Sequence, residues 1–208
     1  MGALPRKQSD PEERRKQILR AAAVVFAERG FHRTRVSDIA RQAGIAHGLI
    51  YHYFDSKDDL LQSIFEDNWA VFVKVLEGLT QQTERPVAER IQSVVELVLD
   101  ALEVVPEILQ VMIREVSRSG RFDREDTVAL FQRAIELLVT LLVEGQERGE
   151  IDPSLEVHTA AHVIMGSIET VCTGYLLGHV GGQDKDLGRV KASLARSLLG
   201  GLKLRHDD

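Results

Sequence analysis

The groups in this sequence with the clearest potential for chemistry include two histidines, His158 and His162. They are four residues apart, a spacing that places two side chains on one helical face and is found among zinc ligands. The residues between them lack the glutamate of a zinc-protease helix, and no third ligand is evident, whereas a catalytic zinc needs three protein ligands. The alternative is a pair of solvated or interface histidines. The sequence also lacks a glycine-rich phosphate loop and a G-x-S-x-G elbow, so it favours a protein that is not an enzyme.

The second group is an outward-facing set of side chains within the segment 34–60. This segment predicts two short helices joined by a tight turn, because Gly44 supplies the left-handed position that ends the first of them. Its apolar positions, at helical spacing and then as anchors of the second helix, are Val36, Ile39, Ala40, Ala43, Ile45, Ile50 and Phe54. The positions left to face outward are His47, Gly48, Leu49, Tyr51 and His52. Helix, turn and helix is the arrangement whose second helix enters the major groove of DNA.

The letters of this segment, TRVSDIARQAGIAHGLIYHYFDSKDDL, resemble the N-terminal signature of the TetR (tetracycline-repressor-like) family of transcriptional regulators. The matching residues are Thr34, Val36, Asp38, Ile39, Ala40, Ala43, Gly44, Ile45, Gly48, Tyr51, Tyr53, Phe54, Ser56, Lys57 and Leu60. The likeness extends back to about Arg14 and then fades. The rest of the chain is similar to the family in length and helical pattern only.

The resemblance implies that Thr34, Tyr51 and Lys57 contact DNA phosphates, since each carries a suitable donor. Arg35 and Ser37, at the start of the first short helix, are expected to clamp a phosphate or reach a base. The residues expected to contact bases are His47, Gly48 and Leu49. A histidine can donate to a guanine acceptor, and a leucine offers apolar contact to a thymine methyl. Tyr53 is expected on the DNA backbone, and for His52 a partly buried packing role is the alternative.

Charge is distributed unequally along the chain. Residues 1–57 hold 11 lysines and arginines against 6 acidic residues, whereas residues 58–208 hold 15 against 26. The basic N-terminal segment is therefore directed toward phosphates although the net charge is −6. The sequence has no apolar run of about 18 residues, no signal-peptide pattern and one cysteine, Cys172. We expect a cytoplasmic protein that binds no membrane, metal or cofactor and has no intrachain disulfide.

Periodicity, caps and glycines predict an all-α fold of nine helices. The N-terminal helix-turn-helix domain is expected over 1–57, and a helical domain for ligand binding and dimerisation over 58–208. The first helix begins with Asp10 as its cap and Pro11 at its first position. A later helix is expected to begin at Lys57, with Ser56 and Asp59 as a capping pair, and to end at Gly78. The remaining helices are expected to begin at Pro86, at Pro106 (ending near Gly120), near Asp123, at Asp152 with Pro153, and near Asp184.

The helical body is expected to bind a small hydrophobic effector, because the resemblance implies a ligand pocket within the central helices. The aromatic and flexible apolar side chains that would line it are Trp69, Phe72, Met112, Phe131, Ile135 and Met165. The alternative is that these residues are plain core. By resemblance, ligand binding would move the fourth helix and release the protein, acting as a repressor, from its operator.

Four arginines follow one another closely in the acidic body, at Arg114, Arg118, Arg121 and Arg124. Arg114 and Arg118 share a helical face. One hypothesis is an anionic site beside an apolar cavity, as a long-chain acyl-CoA would require, a ligand sensed by some TetR-like regulators of fatty-acid breakdown. The alternative is favourable placement of cations at a helix C-terminus, with pairing to Glu115 and Glu125.

The last two long helices are rich in small residues, which allow helix backbones to approach closely. These residues are Ala160, Ala161, Gly166, Ser167, Gly174, Ala192, Ala195 and Gly200. In the resembled family these two helices of each subunit form a four-helix dimer interface. A symmetric dimer would place two recognition helices roughly 34–36 Å apart, to bind a pseudo-palindrome in double-stranded DNA. The alternative is that these positions pack only within the monomer.

Overall fold

A computed structural model describes residues 10–116, 125–182, 184 and 186–202. The described residues form nine α-helices and one π-helical segment, and none of them is in a strand. The all-α prediction is confirmed. The chain divides into two compact units, Met1–Phe65 and Glu66–Asp208, which we call the head and the body. The division falls inside the fourth helix, whereas the sequence-based boundary lies at that helix's first residue, Lys57.

The head contains α1 (Pro11–Arg29), α2 (Val36–Ala43), α3 (His47–Ile50) and the first residues of α4 (Lys57–Thr80). The Asp10 side chain caps α1 by accepting from the N–H of Glu12 at 3.1 Å. Gly30 has a φ of 76°, a value open to glycine, and ends the helix. The core of the head is the apolar stripe that periodicity predicts, and its members include Ile18, Ala22, Val25, Phe26, Ile39, Ala40 and Ala43.

The body contains the rest of α4, then α5 (Val87–Val104), α6 (Pro106–Val111), α7 (Glu125–Glu147), α8 (Val157–Leu176) and α9 (Leu187–Leu202). A π-helical segment, Met112–Val116, continues α6 where the sequence predicts an ordinary α-helix. The core of the body is apolar, with Leu76, Val94, Leu99, Leu138 and Leu141 all fully buried. Helix α4 continues two residues past Gly78, the position at which we expected it to end. The positions expected to end the sixth helix and begin the seventh, Gly120 and Asp123, lie outside the described residues.

The start of α8 differs from the sequence prediction. Asp152 was expected to cap this helix, but its carboxylate accepts from the N–H of Ser154 at 2.8 Å and closes a local turn. The helix begins five residues later, at Val157, with Glu156 as its cap. The Glu156 carboxylate accepts from the N–H of Thr159 at 2.6 Å and of His158 at 3.0 Å. Hydrogen bonds from Thr159, followed by the one from His158, lower the pKa of this carboxyl.

Candidate nucleic-acid interface and effector site

The turn between α2 and α3 has the geometry that the sequence predicts. Gly44 lies in the left-handed region with a φ of 65°, and the N–H of Ile45 donates to the carbonyl of Ala40 at 3.0 Å. Ile50 is 1% exposed and Phe54 3% exposed, so both hold the α3 segment against the head. Helix α3 has one turn, His47–Ile50, and is followed by a turn at residues 51–53.

One face of α3 is free for another molecule. His47, Gly48 and His52 are exposed, Tyr51 is half exposed, and Leu49 is partly buried. The rings of His47 and Tyr51 meet edge to face with their centroids 5.4 Å apart. A Cβ added at Gly48 would meet nothing within 4 Å, so the fold of the head does not itself require glycine here. A glycine in a helix costs about 1 kcal/mol relative to alanine, and close approach by a binding partner explains its presence.

The start of α2 presents two more of the predicted DNA contacts. Arg35 and Ser37 are exposed, and the N–H of Arg35 donates to the Asp38 carboxylate at 3.2 Å. Asp38 also pairs with Arg29 at 3.2 Å and with Arg41 at 3.4 Å. The hydrogen bond from the Arg35 backbone, and then the charges of Arg29 and Arg41, hold the pKa of Asp38 below its ordinary value. The sequence pattern identified Asp38 as part of the motif and did not reveal this positioning role.

Two predicted phosphate contacts are engaged inside the head. Thr34 is 3% exposed, and its hydroxyl donates to the carbonyls of Gly30 at 2.9 Å and Val25 at 3.4 Å. The Lys57 ammonium donates to the carbonyls of Phe31 at 2.7 Å and Thr34 at 3.0 Å. Tyr53, predicted on the DNA backbone, is partly buried. These contacts separate the predicted site into an exposed set and a set that supports it.

In the body, three helices bring together aromatic side chains of the predicted effector site. Trp69 lies edge to face with Phe72 and with Phe131, with ring centroids 5.4 Å and 5.7 Å apart. Phe131 also contacts the ring of His162 at 6.4 Å. We call these four residues the aromatic cluster. Three of them come from the predicted list, and His162 was considered only as a zinc ligand.

The other predicted effector residues are distributed differently. Met112 and Met165 are partly buried, and Ile135 is buried in the core at 6% exposure. Arg114 is exposed, and the other members of the arginine cluster, Arg118, Arg121 and Arg124, lie outside the described residues.

An ion pair that sequence reasoning missed joins α5 to α7. Arg90 is 0% exposed, and its guanidinium donates to the two carboxylate oxygens of Glu144 at 2.9 Å and 2.5 Å. Arg90 donates further to the carbonyl of Leu79, near the end of α4, at 3.4 Å. Glu144 also accepts from Arg148 at 2.9 Å. The hydrogen bonds from Arg90, and then those from Arg148, outweigh the opposing effect of burial and lower the pKa of Glu144.

A groove of about 800 Å³ runs between α8 and α9. Its walls are apolar and small polar residues, among them Val163, Gly166, Ser167, Ser193 and Ser197. Val163 is 55% exposed, a large fraction for a valine on a long helix. Other small residues of these helices face inward: Ala161 and Ala195 are buried in the core, and Gly174 lies against Val180.

The remaining candidate groups for chemistry are isolated from one another. His162 Nδ1 lies 2.7 Å from the carbonyl of His158, one turn earlier in α8. Within the part of the chain that the structure describes, no three histidine, cysteine or acidic side chains are grouped so as to hold a metal ion. Cys172 is 1% exposed, and burial, with the charge of Glu169, raises the pKa of its thiol to about 12. Among the same residues, no helix combines the length and apolar character needed to cross a membrane.

Comparison with known families decides what this arrangement of head and body is. The family model described as "Bacterial regulatory proteins, tetR family" matches residues 18–64, and the one described as "YsiA-like protein, C-terminal region" matches residues 65–198. The chain belongs to the TetR family. It is therefore a DNA-binding transcriptional regulator, and the predicted family and general function are confirmed.

Three relatives place this TetR-family chain more closely. It is 30% identical to the fatty acid metabolism regulator protein of Bacillus subtilis, over 89% of this chain and 94% of that protein. The structure of the fatty acid degradation regulator FadR from Bacillus halodurans is similar with a TM-score of 0.81, at 30% identity, over 96% of this chain and 100% of that one. The B. subtilis FadR structure in complex with stearoyl-CoA has a TM-score of 0.78 at 30% identity, over 90% and 98%.

Proposed function

We propose that this TetR-family regulator is a homodimeric repressor that binds a pseudo-palindromic operator and is released by a long-chain acyl-CoA. The exposed face of α3 carries the DNA part of the proposal, because Gly48 leaves open space between two donors, His47 and Tyr51. The protein acts in the cytoplasm, without a cofactor and without enzymatic activity. The head binds DNA, and the body binds the effector and the second subunit.

Within the head, we assign base contacts to His47 and Leu49, with Gly48 allowing their close approach. We assign phosphate contacts to Arg35, Ser37 and Tyr51, which are exposed in the structure. Tyr53 is placed beside them with a smaller contribution, because it is partly buried. Thr34 contributes through the turn that its hydroxyl holds in place, since that hydroxyl is engaged with Gly30.

Replacing His47 with alanine is expected to change which sequence the protein prefers, whereas Tyr51→Phe is expected to weaken binding to every sequence. The tyrosine variant keeps the ring that contacts His47 and loses only a hydroxyl. A hydrogen bond to a charged group is worth enough to weaken binding by about tenfold or more. Selection of bound duplexes from a random pool, followed by affinity measurements on the selected operator, distinguishes the two effects.

Tyr175→Phe, in α8, is the matched control for this experiment, because it removes the same hydroxyl from the body. It is expected to leave the selected sequence and the affinity unchanged. An unaltered sequence preference for His47→Ala would remove His47 from base recognition.

The effector assignment is supported by the FadR similarity and by the aromatic cluster. One FadR structure, similar to this chain over 90% of its length, is a complex with stearoyl-CoA. The cluster of Trp69, Phe72 and Phe131 joins α4 to α7 within the body and offers the apolar, aromatic lining that an acyl chain needs. Because α4 also continues into the head, a ligand beside Trp69 contacts the same helix that supports DNA binding.

Stearoyl-CoA is expected to bind the full-length protein and lower its affinity for the selected operator, whereas free coenzyme A is not. Trp69→Leu is expected to weaken stearoyl-CoA binding about tenfold, because large aromatic contacts are lost and the apolar character is kept. Isothermal titration calorimetry measures both affinities. Leu199→Val, a change at a partly buried position of α9 that packs on the same core, is the control and should bind stearoyl-CoA as the wild type does. Absence of heat with stearoyl-CoA at tens of micromolar would contradict the acyl-CoA assignment alone.

The groove between α8 and α9 supports the dimer assignment. Val163, Gly166 and Ser193 form a surface of small and apolar side chains that a second copy of the chain would cover. Closed twofold dimers are the commonest soluble oligomers, and their interfaces are self-complementary. Two heads related by such an axis would bind half-sites about 34–36 Å apart.

A further inference from the structure

The ammonium of Lys57 is surrounded by main-chain carbonyl oxygens of the turn between α1 and α2. Lys57 Nζ lies 2.7 Å from the oxygen of Phe31, 3.0 Å from that of Thr34 and 3.5 Å from that of His32. The same nitrogen lies 4.2 Å from the centre of the Phe31 ring. An ammonium has three N–H donors, so these acceptors match its full donor capacity.

The turn at 31–34 depends on few other side-chain contacts. The Thr34 hydroxyl holds it from within by donating to Gly30, and the Phe31 ring packs on Phe26 with centroids 5.3 Å apart. Lys57 reaches it from a distant segment, 26 residues from Phe31 and 23 from Thr34 along the chain. The turn leads directly into Arg35 and Ser37, the proposed phosphate contacts.

We propose that Lys57 is a positioning residue for DNA binding, which fixes the 31–34 turn to the first residue of α4 and does not itself bind a phosphate. The proposal rests on the proposed DNA-binding role of the head. A lysine at the first position of a helix opposes the helix dipole, which is unfavourable by a small amount. The carbonyl oxygens and the Phe31 ring stabilise the cation at this position, so a phosphate is not needed to explain it.

The two roles differ in how DNA affinity depends on salt. Each phosphate that a lysine neutralises releases counterions and contributes about 0.9 to the slope of log K against log salt concentration. A positioning residue affects affinity through the geometry of other contacts and contributes little to that slope beyond its general charge. The same distinction applies to arginine, which binds phosphate well but whose planar guanidinium does not fit carbonyls that converge on one atom.

The experiment compares full-length wild type with Lys57→Met and Lys57→Arg, using the operator that wild type selects from a random duplex pool. Lys16→Met, an exposed position on α1 of the same head, is the matched control for loss of one positive charge. Lys57→Met is expected to weaken binding about tenfold, as loss of one charge-assisted contact does. Its salt slope is expected to equal that of Lys16→Met. Lys57→Arg is expected to bind nearly as weakly as Lys57→Met.

A measurement without DNA tests the same contact. Amide hydrogen exchange of the free protein is followed in a peptide that covers residues 31–38. Lys57→Met is expected to speed exchange in this peptide about tenfold through easier local opening, and Lys16→Met is expected to leave it unchanged. If wild type selected no duplex, the DNA-binding function would fail, and the exchange comparison would still decide whether Lys57 holds the turn.

Two results would overturn the proposal. One is a salt slope for Lys57→Met that falls by about 0.9 relative to Lys16→Met, the signature of a lost phosphate contact. The other is wild-type affinity for Lys57→Arg together with unchanged exchange of residues 31–38 in Lys57→Met.

Discussion

Replacing Glu144 with alanine is expected to lower the free energy of unfolding by about 3–5 kcal/mol, the cost of leaving a buried charge without its partner. Arg90 is 0% exposed and depends on Glu144 for both of its charge-assisted hydrogen bonds. Its Nε is already buried without a hydrogen-bond partner, so the guanidinium has no other compensation at that atom. Urea unfolding followed by circular dichroism measures the change.

Two controls make this prediction specific. Glu136→Ala lies on the same helix, but its side chain is 67% exposed and 3.9 Å from Arg133, so a change within about 0.5 kcal/mol is expected. The double variant Arg90→Met with Glu144→Leu removes both charges and is expected to recover most of the loss. A Glu144→Ala protein as stable as wild type would show that Arg90 finds other partners or water.

The same ion pair gives the stability of the body a defined pH dependence. The pKa of Glu144 is lowered from its ordinary value of 4.5, so the folded state binds its proton less readily than the unfolded state does. The contribution to stability is therefore complete above pH 4.5 and is lost as the pH falls through the lower folded-state value. Arg90 keeps its charge throughout, so acidification resembles Glu144→Ala.

Introducing a carboxylate into the groove, with Val163→Asp, is expected to raise the dimer dissociation constant about a thousandfold and to abolish operator binding at nanomolar protein. Symmetry places two such carboxylates in one interface, and desolvating each costs several kcal/mol when it has no partner. The monomer should tolerate the change, since Val163 is 55% exposed. Sedimentation velocity gives the association state, and the helical content by circular dichroism verifies folding.

Val104→Asp is the matched control, because Val104 is 77% exposed at the end of α5 and lies outside the groove. It is expected to leave both association and operator binding unchanged. A Val163→Asp protein that remained dimeric at nanomolar concentration would place the interface elsewhere on the body.

Short-range patterns in the sequence were sufficient for most of the fold. The Asp10 cap, the left-handed Gly44 and the apolar stripes of α1 and α2 depend on neighbours within one or two turns, and they occur where predicted. The start of α8 was wrong because Asp152 and Glu156 are both acids that can accept from nearby N–H groups. Asp152 satisfies itself in a local turn, and its sequence does not reveal which of the two begins the helix.

Contacts between distant segments could not be predicted in the same way. The ammonium of Lys57 meets carbonyls 23 and 26 residues away, and Arg90 meets Glu144 at a separation of 54 residues. Backbone carbonyls have no sequence identity, so no pattern distinguishes a lysine that binds them from one that awaits a phosphate. The exposed positions His47, Gly48 and Tyr51 were predicted because an anchored helix leaves its other face free.

The burial of Cys172 has a practical consequence for spectroscopy. It is the only cysteine of the chain, and its thiol is 1% exposed with a pKa raised to about 12, so almost no thiolate is available at neutral pH. A single cysteine introduced on the exposed surface of the head would therefore be the one site that maleimide spin labels or fluorophores modify. One such label per subunit would report the separation of the two heads directly, with and without a ligand, in an otherwise native chain.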